Sequence, residues 1–136
     1  MSEINIWAVV VSAIASMAIG SIWYGPLFGK IFMKAMGMDQ WSPEKQSAMK
    51  KQMPITYLLQ FLASLLMFFV LARFVFYMSD FTVKGSLVVA FWTWLGFVVP
   101  IKLGDALWGG KMTMFWLGIG NMLLTLLAGA AIIGAW

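Results

Sequence analysis

Four stretches of the chain are apolar over nearly their whole length, and shorter polar segments separate them. They run roughly over residues 4–24, 55–77, 85–101 and 112–135. A helix needs about 20 mainly apolar residues to cross the hydrocarbon core of a bilayer, and each stretch meets or approaches that length. Lipid offers no partners to backbone N–H and C=O groups, so a spanning segment must satisfy them internally, as a helix does. The pattern predicts an all-α integral membrane four-helix bundle. Neither an internal repeat nor a linker divides it, so residues 1–136 read as a single four-span domain.

The segments between the spans carry patterns of their own. From Leu27 to Met38, the apolar residues Leu27, Phe28, Ile31, Phe32, Ala35 and Met36 fall on one helical face and Lys30 and Lys34 on the other. This predicts an amphipathic helix lying in the cytoplasmic membrane interface between spans 1 and 2. Ser42, Pro43 and Glu44 then supply a capping hydroxyl, a proline suited to the first helical position and an acid at the positive helix end. A short polar helix to about Gln52 follows, ending before Pro54. The connection from Ser79 to Lys84 is so short that spans 2 and 3 form an antiparallel hairpin.

Composition strengthens the membrane reading and removes several chemistries. Only 10% of residues are charged against 62% hydrophobic, too little polar surface to coat a water-soluble fold of this size. With no cysteine and no histidine, disulfides, thiol redox chemistry and the usual zinc, haem and non-haem iron sites are excluded. Met33, Met36 and Met38 cluster, but Met is an ordinary residue for irregular apolar packing, so no metal and no cofactor are expected. The net charge of +4 is small, and five of the nine basic residues lie between Lys30 and Lys51, which reads as a membrane-orientation signal rather than a nucleic-acid surface.

Charge placement sets the orientation instead. Lys30, Lys34, Lys45, Lys50, Lys51, Lys102 and Lys111 lie in the first and third connections, with Arg73 and Lys84 on the other side. The positive-inside rule then places both termini outside the cytoplasm. The first stretch opens on Ser2, Glu3 and Asn5 rather than on positive charge, so it reads as a retained span. Arg73, near the outer end of span 2, is expected to snorkel or to pair with Asp80 or Glu3.

Within the spans, Ala8, Ser12, Ser16 and Gly20 recur every four residues and form a small-residue face along which another helix can approach closely. That partner is either a helix of the same bundle or a second copy, which makes self-association an expectation. Asn121 and Thr125 lie one turn apart in the last span, and a hydrogen bond between helices is the plainer account of them, with Gln60 and Ser64 as candidate partners.

The segment VVPIKLGDALWGGK, Val98 to Lys111, concentrates most of the remaining polarity. Pro100 removes a backbone donor and bends or ends the third helix. Gly109 and Gly110 form a turn, and Lys102 and Asp105 are spaced to pair if the helix continues. By topology this segment shares a membrane depth with Tyr24, Lys30 and Lys111. The plainer reading is that Lys102 snorkels, Asp105 neutralises a neighbouring cation and Trp108 anchors the interface. The functional reading is a lipid-headgroup site built from Tyr24, Lys30, Lys102, Asp105, Trp108 and Lys111.

The run IWYGPLFGKIFMKAMGM, with Trp23, Tyr24, Pro26, Phe28, Gly29 and Lys30, resembles the signature of a family of small four-helix bacterial membrane proteins catalogued as domain of unknown function 1761. The tail LWGGKMTMFWLGIGNMLLTLLAGAAIIGAW is similar to that family's Gly-rich closing span. At the head of that span the family often shows an Asn with a Tyr or His, where this chain has Gly118, Asn121 and Met122. The resemblance implies a membrane location and a helical fold, and no activity. Residues and resemblance together point to a non-enzymatic membrane protein that oligomerises or binds anionic lipid. A small oligomeric transporter or channel is the rival reading, because Lys102 and Asp105 stand beside a proline break.

Overall fold

The computed structural model describes residues 4–78 and 82–136. Among them the chain is all helix, without strands. Helix α1 (Ile6–Ile22) starts at Asn5, whose Oδ1 accepts from the backbone N–H of Trp7 at 2.9 Å and of Ala8 at 3.4 Å, satisfying two of the donors that a helix start leaves open. A wider π-helical turn, Trp23–Leu27, extends α1, and α2 (Gly29–Met36) follows, closed by Gly37 in the left-handed conformation at φ 72°. Helix α3 is Pro43–Met78. Helices α4 (Val83–Thr93) and α5 (Val99–Gly109) are joined through a second π-helical turn, Trp94–Val98, into one rod. Helix α6 is Met112–Ala135.

Four of these units are long and apolar enough to cross a membrane: Ile6–Leu27, Pro43–Met78, Val83–Gly109 and Met112–Ala135. Two run further than the apolar pattern suggests. Ser42 caps α3 as expected, its Oγ accepting from the N–H of Lys45 at 3.1 Å, but the helix passes Pro54 without a break and reaches 36 residues, about 54 Å. Residues 42–60 are exposed on every side, so the backbone carbonyl freed by Pro54 meets no packed neighbour. Pro100 likewise fails to end its helix. A proline ring clashes with the carbonyl four residues earlier, here Gly96, and that residue sits inside the π turn where the backbone is widened. Gly110, at φ 72°, closes α5 instead, its N–H bonded to the Ala106 carbonyl at 2.7 Å.

Helix α6 packs against α1, α2, α3, α4 and α5, with α1 and α4 its main neighbours. The principal core joins Ala8, Val9 and Ala13 of α1, Phe68, Leu71, Ala72 and Val75 of α3, Val89 and Ala90 of α4, and Leu126, Ala130 and Ile133 of α6. A smaller cluster of Ala106, Phe115 and Ile119 continues it where α5 meets α6, with Trp94, Val99 and Leu103 against it. Burial on α1 and α3 falls in the same direction. Ser12 and Ser64 are buried, Ser16 and Gly20 are half-buried, and Gln60 is exposed. The two helices are therefore covered best at the end that carries Ser12 and Ser64 and least at the other. The expected partners of Arg73, Asp80 and Glu3, lie outside the described residues, as does most of the hairpin connection; Arg73 itself stands over the Tyr77 ring at 5.6 Å.

Candidate functional site

The motif WYGPLFG folds as one unit. Pro26 has no N–H to give, and the chain answers with the π turn, in which the N–H of Phe28 reaches back five residues to the Trp23 carbonyl at 2.9 Å. Gly29 is buried, and a Cβ there would sit 3.0 Å from the Tyr24 carbonyl oxygen, so a side chain would push the turn backbone back by a few tenths of an ångström where α2 starts against it. Phe28 then packs on Trp23 and Phe32 on Tyr24, each pair with centroids 4.7 Å apart. Of the apolar face expected for this helix, Phe28, Phe32, Ala35 and Met36 are half-buried while Leu27 and Ile31 are exposed beside Lys30 and Lys34. Part of that face is thus used against the protein itself.

Both π turns open on a tryptophan, and both indoles end on the same turn of α6. Trp23 donates its ring N–H to the Leu117 carbonyl at 3.0 Å and Trp94 donates to the Ile119 carbonyl at 2.8 Å. Gly118 and Gly120 alternate with these acceptors, and Gly120 makes the approach of the Trp23 ring possible. The Trp23 ring occupies the space of a side chain at Gly120, and the Cδ and Cε of Lys102 lie 3.9 Å from where a Cβ on Gly118 would be. Lys102 therefore lays its alkyl stem across α6 at the turn held by the two indoles. One and two turns further along α6, the Oδ1 of Asn121 and the Oγ1 of Thr125 are buried with no hydrogen-bond partner.

The other residues expected at the site are placed as follows. Lys30, Asp105 and Lys111 are exposed, and Trp108 is 95% exposed. Lys102 and Asp105 are on one helical stretch, α5, but no ion pair joins them, and no hydrogen bond links any two of Tyr24, Lys30, Lys102, Asp105, Trp108 and Lys111 among the described residues. Of the small-residue face, Ala8 and Ser12 are in the core, and the Ser12 Oγ donates to the Gly129 carbonyl of α6 at 3.3 Å. Ser16 instead bonds its own helix, at the Ala13 carbonyl, 2.7 Å away. No group of three His, Cys, Asp or Glu residues that could hold a metal ion occurs among the described residues.

The tryptophan grip on α6 was not anticipated from the spans. Its signal lies in the repeated Trp-x-Gly ahead of a proline, at Trp23 and Gly25 before Pro26 and at Trp94 and Gly96 before Pro100, matched by Gly118 and Gly120.

These helices define an all-helical membrane protein with four membrane-length apolar segments. The chain belongs to the family of proteins of unknown function designated DUF1761, whose model matches residues 7–134. No curated protein and no solved structure matches it.

Proposed function

We propose that the protein is a non-enzymatic integral membrane protein of the bacterial inner membrane that binds an anionic lipid at the lysine-bearing end of its helices. The observation that carries this reading is Lys102. It lies within an apolar helix of membrane length, its stem is directed along Gly118 of α6, and no carboxylate pairs with it among the described residues. A cation inside a span is costly unless it reaches the interface or meets an anion. Lys111 at the start of α6 and Lys30 on α2 add positive charge toward the same end, and each basic group near an anionic surface contributes about 1 kcal/mol. In this reading α2 lies in the interface plane, the termini face away from the cytoplasm, and Asp105, exposed and joined to none of the lysines, leaves their charge free for the lipid.

Native mass spectrometry of the protein released from phosphatidylglycerol-containing nanodiscs tests it. The parent protein should retain anionic lipid that the Lys30→Gln/Lys102→Gln variant loses; equal occupancy in the two would overturn the proposal. The same spectra report whether the chain self-associates.

A small transporter or channel is the second reading, favoured by the unpartnered Oδ1 of Asn121 and Oγ1 of Thr125 within a span, since polar groups at membrane depth mark conduits. Single cysteines placed at 121 and 125 in this cysteine-free chain would react with a water-soluble thiol reagent if a conduit exists. Protection at both positions, with labelling confined to the helix ends, would leave the lipid-binding reading.

A further inference from the structure

The opposite end of the α4–α5 rod carries a second feature, independent of the lysine-bearing end. A shallow groove of about 600 Å³ runs down the outer face of α4 between two rows of side chains, Val83, Leu87 and Phe91 on one side and Lys84, Val88 and Trp92 on the other. Its walls are almost wholly hydrocarbon and aromatic ring, and Lys84 is the one charged residue that lines it. Lys84 is exposed and has no ion-pair partner among the described residues. The positive end of the α4 dipole lies at the same level, because the helix begins at Val83.

The dimensions select the occupant. From Lys84 to Trp92 the helix rises about 12 Å, close to the ~15 Å depth of one leaflet of a bilayer. The groove thus starts where a cation on a membrane helix meets headgroups and stops, at the Trp92 ring, near the depth where an acyl chain ends. Lys84 and Lys102 are separated by about 27 Å along the same rod, so a molecule held at Lys84 belongs to the other leaflet from one held at Lys102.

We infer that this groove binds one anionic phospholipid, its acyl chain between the two rows of α4 and its phosphate on Lys84. A zwitterionic lipid fits the same walls but brings its own cation to the headgroup level, so the groove discriminates through Lys84 and not through shape. The site is absent from the reading of the lysine-bearing end and survives if that reading fails.

The test uses the full-length Lys30→Gln/Lys102→Gln protein, so that lipid at the other end does not contribute. It is reconstituted in nanodiscs of phosphatidylcholine with a minority of phosphatidylglycerol, released, and weighed with its bound lipids by native mass spectrometry. In this background the protein should retain one phosphatidylglycerol. Lys84→Gln should lower its occupancy about fivefold at limiting lipid, and Lys84→Arg should restore it. Val88→Trp, which fills the groove at an exposed position and leaves the charge in place, should abolish retention of both lipids there. Phosphatidylglycerol occupancy unchanged by both Lys84→Gln and Val88→Trp would overturn the proposal, as would equal retention of phosphatidylcholine and phosphatidylglycerol by the parent.

Discussion

The indole of Trp23 lies where a side chain on Gly120 would be: a Cβ there would come within 2.7 Å of the Trp23 Cζ2 atom. The same ring donates its N–H to the carbonyl of Leu117, so contact and hydrogen bond fix the end of α1 to one turn of α6. The two contributions are separable. Gly120→Ala forces the ring away and should destabilise by about 1–3 kcal/mol, as overpacking does. Trp23→Phe keeps most of the apolar body and loses the donor, and should cost about 0.6 kcal/mol for the hydrogen bond, the average found between membrane helices, plus the smaller contact. Equilibrium unfolding in mixed micelles measures both. The two changes combined should cost less than their sum, since the smaller ring leaves room for the methyl group.

Phe68 and Gly129 pose the same test at the core. Phe68 is fully buried, and its ring fills the volume beside Gly129 that a side chain would need. Gly129→Ala should therefore be among the most damaging single-methyl changes in the chain, and Phe68→Ala should cost about 3–5 kcal/mol through the cavity that it leaves. Phe68→Leu placed on Gly129→Ala should recover part of the loss. If the double variant is no more stable than Gly129→Ala alone, the packing described between α3 and α6 is incorrect.

What the sequence could and could not show follows from the same residues. The helical segments were legible because lipid demands long apolar runs, and the start of α3 was legible because Ser42, Pro43 and Glu44 have local roles. The lengths of α3 and of the α4–α5 rod were not, because whether Pro54 and Pro100 end a helix depends on what surrounds the carbonyl each one displaces. Glycine had the least legible role. Gly120, Gly129 and Gly134 are spaced through α6 without a single helical period, since each answers a different neighbour: Trp23, Phe68 and Ser86. For the candidate site, the pattern singles out Lys102, Asp105 and Trp108 of α5 but not the indole bonds of Trp23 and Trp94, because an indole bound to a helix carbonyl looks, in sequence, like any tryptophan in a span.

Asn121 and Thr125 carry an expectation of the opposite sign. A buried oxygen without a partner is an energetic cost, and both Asn121 Oδ1 and Thr125 Oγ1 are in that condition. Thr125→Val should leave stability unchanged or raise it, and Asn121→Leu should not lower it by more than about 0.5 kcal/mol. Chemical unfolding of each variant beside the parent gives the answer. A loss well above 1 kcal/mol in both would mean that a water or another ligand ordinarily satisfies these atoms, and would move the balance toward the conduit reading.

The small-residue face of α1 divides into two halves that should respond differently. Ser12 is fully buried and bonded to α6, so Ser12→Leu should be severely destabilising. Gly20, eight residues on, has nothing within 4 Å of where its Cβ would be, and alanine is favoured over glycine in a helix interior by about 1 kcal/mol. Gly20→Ala should then stabilise the folded monomer. On α6, Gly134→Ala should do the reverse, because its Cβ would fall 2.5 Å from Ser86 Oγ and 2.8 Å from the Thr82 carbonyl. Gly20 also decides what meets the open half of this face. If Gly20→Ala raises unfolding stability while light scattering shows a weakened dimer, a second copy packs there through the small-residue stripe. If stability rises and the oligomeric state is unchanged, that half of the face is covered by lipid.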